Sequence, residues 1–179
     1  MPSPLGHTAF GLAVHELHSR GISNLSPRKT FILVSLLANL PDIDILIGLI
    51  LYSNGGAFHR GITHSIVFAL VMSILISNGW RCWSRIPKLG FLWCFLLIIS
   101  HLLTDAIFSS APVSLFWPLE RYNIAWYCGW KELIEAFLFL DLQHLFIIFG
   151  CGLLIVFLKA IKEKSSYFNF PILRKYRLQ

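Results

Sequence analysis

Charge is what this chain is short of. Asp, Glu, Lys and Arg make up 13% of its 179 residues, about half the fraction carried by a soluble domain. With 56% hydrophobic residues and a mean hydropathy of +0.68, the shortage argues against an ordinary soluble domain and for an integral membrane protein. Cysteine is sparse and unpatterned, since Cys82, Cys94, Cys128 and Cys151 show no CxxC spacing. Cys94 and Cys151 fall in apolar runs, where cysteine acts as a small hydrophobe. Neither a cysteine metal site nor a disulfide is therefore expected. No basic segment precedes the first apolar stretch, so a cleaved signal peptide is not expected either. Internal repeats and low-complexity tracts are lacking, and the length suits one domain with a single core.

The charge that is present lies unevenly. The net charge is +6, and Lys159, Lys162, Lys164, Arg174, Lys175 and Arg177 crowd the C-terminal tail. That pattern suits an anchor on anionic lipid more than a nucleic-acid groove. Membrane lipids are the expected partner, and nucleic acid is not.

The apolar pattern predicts an all-α, polytopic helical membrane protein with about four long spans plus a short N-terminal helix. Residues 1–160 form one domain on this reading, and 161–179 a basic cytoplasmic tail. Residues 5–20 have helical spacing but are short for a span, and Gly21 suits a C-cap. His7, Gly11, His15 and His18 recur near one face. Residues 30–52 are long enough to span, but Pro41 predicts a break between Leu40 and Pro41. Broken backbone at membrane depth is tolerated only where it is buried in protein or lines a cavity. Asp42 and Asp44 would diverge on a regular helix, whereas a non-helical turn lets both face one site. Residues 53–58 read as a loop and 62–79 as a second apolar run, opened by HRGITHS (His59 to Ser65). Residues 89–108 form a third span, with His101 and Asp105 four apart on one face. The aromatic stretch with Phe116, Trp117, Tyr122, Trp126, Tyr127 and Trp130 suits an interfacial belt, or a lid over a site. Residues 131–159 read as an amphipathic lead-in and a fourth span, with Asp141 and His144 near its start.

Lys and Arg mark the cytoplasmic side of short loops. Here they are Arg20, Arg28 and Lys29 in one loop, Arg81, Arg85 and Lys88 in a second, and the tail. His7 lies 13 residues from Arg20, Asp42 13 from Lys29, and His64 17 from Arg81; His101 lies 13 from Lys88 and His144 15 from Lys159. At about 1.5 Å per residue, these groups share one layer roughly 20–25 Å above the basic side, toward the outer face. Scattered, merely tolerated polar residues would not align in this way.

Lone histidines in apolar runs are commonly satisfied by a neighbouring carbonyl or hydroxyl, and His15 and His18 are read so. Asp42, Asp44, His59, His64, His101 and Asp105 are different. Burying carboxylates costs several kcal/mol each without a counter-charge, and Arg60 is the main cation at that depth. One or two divalent metal ions supply the balance. Mixed imidazole and carboxylate ligands suit zinc first, with manganese or iron as alternatives. Such an ion with an open position activates water for attack on a phosphoester. Asp44 and Arg60 are the catalytic candidates. Asp44, like Asp42, suits a bridge between two ions or a general base, and Arg60 suits a phosphate grip or a headgroup anchor. Thr63, Ser65 and Thr104 are candidates for hydrogen bonds to the ligands or between helices.

The motifs LGHTAFG, LPDID, HRGITHS, SHLLTDA and APVSLFWPL, in this order over about residues 5–120, resemble the YdjM-like family of bacterial inner-membrane proteins regarded as metal-dependent hydrolases. The order His, Asp, His, then His-x-x-x-Asp is also similar to zinc-dependent phospholipase C and the P1-type nucleases. The resemblance implies a helical hydrolase of the bacterial inner membrane. It carries His7, Asp42, Asp44, His59, His64, His101 and Asp105 as metal positions. Ile45 stands where many relatives have a histidine, and His144 is the candidate additional ligand in its place.

The sequence thus reads as a membrane-embedded metal-dependent hydrolase of a phosphoester, lipid or lipid-linked, at the outer leaflet. The alternative is a divalent-cation or proton transporter, which also uses intramembrane His and Asp but needs polar stations on both sides of the midplane. Orientation is checked by a reporter fused after Gln179 that is active only in the cytoplasm. Activity is expected; silence, with an export-dependent reporter active instead, would reverse the topology.

Overall fold

Two Ser-Pro pairs start the first two helices. Ser3 caps α1 (Pro4–Leu17), its Oγ accepting from the Gly6 amide at 3.3 Å, and Ser26 precedes α2 (Pro27–Ala38). Proline suits the first helical position because its missing amide hydrogen would have no partner there. α3 (Ile43–Tyr52), α4 (Ile66–Cys82), α5 (Phe91–Phe108), α6 (Trp130–Leu138) and α7 (Leu142–Asn169) follow. The computed structural model describes residues 3–18, 25–83, 86–109, 111–120, 127–138 and 142–169, and these are all-α as expected. Arg20, Gly21, Arg85, Tyr122, Trp126, Asp141, Arg174, Lys175 and Arg177 lie outside the described residues.

The four expected spans all become helices, but they do not meet the length requirement equally. α5 and the segment His144–Lys164 of α7 are long and apolar enough to cross a membrane. α2 and α3 pass that test only together, bent by 56° at the break before Pro41. α4, at 17 residues, is apolar but shorter. Four spans are thus an approximate count, with two full-length helices, or three if the bent pair is one span. Two boundaries move. α1 ends at Leu17 with His18 as its C-cap. α7 continues beyond Lys159 to Asn169, so residues 161–169 of the expected tail are helical.

α5 is the central element. It packs against α1, α2 and α4, and Trp93, Cys94, Leu97, Ile98 and Leu102 on it are fully or almost fully buried. Trp93, Cys94 and Leu97 meet Val34 and Leu37 of α2 in one apolar cluster. α7 is peripheral: it packs on α1 through Ile147 and Cys151 against Ala13. Gly11 sets how closely α1 approaches α2, because a Cβ there would lie 2.8 Å from the Ala38 Cβ. That close approach brings His7, one turn earlier, beside the end of α2. The four cysteines are unpaired.

Gly48 is equally constrained, since a Cβ would meet the Asn54 carbonyl oxygen at 2.5 Å and the Gly55 Cα at 3.2 Å. Both are backbone atoms and cannot swing aside. Gly48→Ala is expected to destabilise the protein by about 1–3 kcal/mol, the usual range for overpacking. Gly150→Ala, where nothing lies within 4 Å, is expected to be neutral. Thermal unfolding in detergent compares the two, and an unchanged melting temperature for Gly48→Ala would refute the tight contact.

Candidate metal centre

Pro41 makes the first half of the site. α2 stops at Ala38, Leu40–Asp42 form a single 3-10 turn, and α3 begins at Ile43. The Asp42 amide donates to the Asn39 carbonyl at 3.2 Å, so the Ala38 carbonyl is left to accept elsewhere. It accepts from His101 Nδ1 at 2.8 Å. A carbonyl can only accept, so that contact puts the ring hydrogen on Nδ1 and the lone pair on Nε2. The break brings both aspartates to the cluster, but only Asp42 lies in the non-helical turn; Asp44 is in the first turn of α3.

HRGITHS makes the second half, and not as the top of a helix. Arg60 has φ +66°, Ile62–His64 form a 3-10 turn, and α4 starts only at Ile66. The apolar run from Ile62 therefore becomes helical four residues late, because Ser65 is extended and caps α4 by accepting from the Phe68 amide at 3.1 Å. The loop turns His59 and His64 inward together, their ring centroids 4.8 Å apart. α5 supplies His101 and Asp105, and α1 supplies His7, stacked on the His101 ring at 3.8 Å.

Three overlapping triplets have ligand atoms within 4.8 Å of one another: His7, His101 and Asp105; Asp42, His64 and His101; Asp44, His59 and His64. The described residues therefore hold buried His/Asp groups able to bind a metal ion. His64 Nε2 lies 3.2 Å from His101 Nε2, 3.4 Å from Asp42 Oδ1 and 3.5 Å from Asp105 Oδ2. His101 Nε2 lies 3.4 Å and 3.8 Å from the same two oxygens. His7 Nε2 is 3.6 Å from Asp105 Oδ1. Thr63 donates its one hydroxyl hydrogen to Asp44 Oδ2 at 2.5 Å. Its 3.1 Å contact with His64 Nδ1 then needs the hydrogen on that nitrogen, which leaves the lone pair on Nε2. With both neutral rings so oriented, their Nε2 atoms face each other across 3.2 Å, a gap that either a shared proton or a metal ion fills.

All seven residues read from the sequence as metal positions are brought together here. His144 is buried at the start of α7 but belongs to none of the triplets. Thr63 reaches the cluster, whereas Thr104 donates to the Ser100 carbonyl of its own helix at 2.6 Å. Arg60 is buried beside the site, and its terminal nitrogens are engaged. Nη1 donates to the Ala111 carbonyl at 2.6 Å and Nη2 to Ser109 Oγ at 2.5 Å, while Nε lies 3.9 Å from Asp105 Oδ2. The Ser114 amide returns to the Arg60 carbonyl at 3.4 Å. Ser109, Ala111 and the Ala38 carbonyl escaped the sequence reading. Only the last left a signal, its place three residues before a proline.

A sequence profile of the YdjM inner membrane protein family matches residues 1–166, and the chain belongs to that family. The chain is 34% identical over 132 residues to the inner membrane protein YbcI of Escherichia coli (strain K12), covering 70% of this chain and 74% of the relative. No solved structure matches. The resemblance to the YdjM-like family is thus borne out, and family and helices together support a place in the inner membrane.

Arg60 fastens the segment after α5 to the HRGITHS loop. Arg60→Lys keeps a charge near Asp105 but cannot serve both acceptors in one plane. Losing them is expected to lower the local opening free energy at residues 111–115 by about 2 kcal/mol, roughly 30-fold faster amide exchange. Exchange at the wild-type rate would show that Arg60 does not hold this segment.

Proposed function

We propose that this YdjM-family protein is a metal-dependent hydrolase of the membrane that acts on a phosphoester of a lipid or lipid-linked molecule. One observation carries the reading. The buried atoms left without hydrogen-bond partners include Asp42 Oδ1, both oxygens of Asp105 and both ring nitrogens of His7, all on residues of the cluster. Three carboxylates meet one guanidinium there, which leaves two negative charges for a divalent cation to balance.

The donor set fits such an ion. Bonds of about 2.0–2.1 Å in a tetrahedron place the ligand atoms roughly 3.3 Å apart. The five separations among His64 Nε2, His101 Nε2, Asp42 Oδ1 and Asp105 Oδ2 given above run from 3.2 to 3.8 Å. Two imidazoles and two carboxylates suit zinc, with manganese and iron next. When bound, the ion supplies Lewis acidity toward water and a phosphoryl oxygen.

The chain's own residues do the rest. The Ala38 carbonyl and Thr63 fix the ring hydrogens of His101 and His64 and so aim both Nε2 atoms at the centre. Arg60 positions Asp105 and the following segment, and it takes this role in place of a phosphate grip. Asp42 is the most exposed of the three carboxylates, its side chain 14% accessible against 3% and 0% for Asp44 and Asp105. Substrate therefore approaches from the Asp42 side. The basic tail lies in the cytoplasm on this reading, which turns the site toward the outer face.

The test is metal analysis of the purified protein beside His101→Ala and Asp105→Asn, with turnover of a phosphodiester and phosphomonoester panel. About one ion or more per wild-type chain, loss in both variants, and metal-dependent cleavage are expected. Near-zero metal in all three would sink the reading. Metal with no cleavage, but with ion flux into liposomes, would favour transport.

A further inference from the structure

Asp42 and Asp44 are two residues apart, reach the same cluster and look equivalent in sequence, yet their oxygens meet different fates. Both oxygens of Asp44 are engaged by protein donors. Oδ1 lies 3.1 Å from His59 Nδ1, and Oδ2 accepts from Thr63 Oγ1 at 2.5 Å and lies 3.2 Å from His64 Nδ1. Asp42 Oδ1 is buried with no hydrogen-bond partner and faces the Nε2 atoms of His64 and His101, at 3.4 Å each. An ion taking Asp44 as a ligand would have to compete with three donors already in place. An ion taking Asp42 satisfies an atom that has none.

We propose that Asp44, backed by Thr63, is a positioning residue and not an ion ligand. It holds the Nδ1 hydrogens of His59 and His64, so that the His64 Nε2 lone pair is turned toward an ion shared with His101, Asp42 and Asp105. This rests on the reading that an ion occupies the cluster. Removing such a hydrogen-bond partner of a ligand weakens metal binding roughly 10–100-fold without changing the ligand set.

The test is Co²⁺ titration of the full-length protein in detergent, followed by the cobalt d–d absorption, which reports the number and type of ligands. Asp42→Asn is expected to lose stoichiometric binding. Asp44→Asn is expected to keep one ion per chain with the wild-type band, bound roughly 10–100-fold more weakly. Thr63→Val should weaken binding in the same direction by less, again with an unchanged band. A shifted band in Asp44→Asn, or loss as complete as in Asp42→Asn while helicity and monodispersity are kept, would overturn the proposal. Should Asp44→Asn not fold, Thr63→Val decides: weaker binding with the same band supports the role, and wild-type affinity overturns it. If the wild-type chain itself takes up no cobalt, the ion reading fails and this one with it. That result is distinct from a failure confined to Asp44.

Discussion

Three carboxylates enclosed by helices in a lipid bilayer impose one demand on this chain: their charge must be balanced on the spot. A buried ion without a partner costs several kcal/mol even after relaxation, and Arg60 answers for only one of the three. The demand organises the fold, because lipid tails are as apolar as the helix surfaces and give little drive for helices to associate. Val34, Leu37 and Leu97 can contact lipid about as well as each other. Asp42, Asp44 and Asp105 cannot contact lipid at all, and they draw α1, the α2–α3 turn, the HRGITHS loop and α5 to one point. The candidate ligands thus also tie these elements together, beside the apolar clusters that pack them.

A single proline does much of the arranging. Because Pro41 ends α2, the chain gains a free carbonyl at Ala38 and a bend that brings Asp42, in the turn, and Asp44, at the start of α3, to the cluster. The free carbonyl would be a liability in lipid, but it orients His101. On the other wall, the left-handed Arg60 and the extended Ser65 delay α4 and bring His59 and His64 round together. Both of these irregular stretches line the cluster, which is where a bilayer protein can tolerate them.

The helices, the break at Pro41 and the convergence of His7, Asp42, Asp44, His59, His64, His101 and Asp105 were legible, because hydropathy, proline chemistry and residue counts from the basic loops all report height in the membrane. Height is not direction. His144 sits at the counted depth, yet α7 packs on α1 at the edge of the bundle and the residue belongs to none of the triplets. Thr63 and Thr104 looked alike for the same reason: one reaches Asp44, and the other bonds back within its own helix. The late start of α4 was hidden because apolar periodicity runs straight through Ile62 and takes no account of a Ser cap or a positive φ. The partners of Arg60 were hidden too, since two of the three are a backbone carbonyl and an ordinary serine after α5.

What lies below the cluster bears on hydrolysis against transport. A path through the protein needs polar stations continuing from His101 toward the basic side. One and two turns down α5 stand Leu97, Cys94 and Trp93, closed against Val34 and Leu37 in a buried apolar layer. Two polar side chains beyond it, His15 and Glu16, are already paired. His15 Nδ1 accepts from the Trp93 indole at 3.1 Å, and Glu16 lies 3.8 Å from Lys159 and 3.3 Å from Lys162. An ion leaving the cluster inward would meet no carboxylate or imidazole among the residues of that layer, only the Cys94 thiol in apolar surroundings, and would lose most of its hydration. Asp42, with 14% of its side chain accessible, is the most exposed carboxylate of the cluster. A cluster backed by an apolar layer suits the proposed chemistry on a molecule that comes to it better than passage of an ion through the protein.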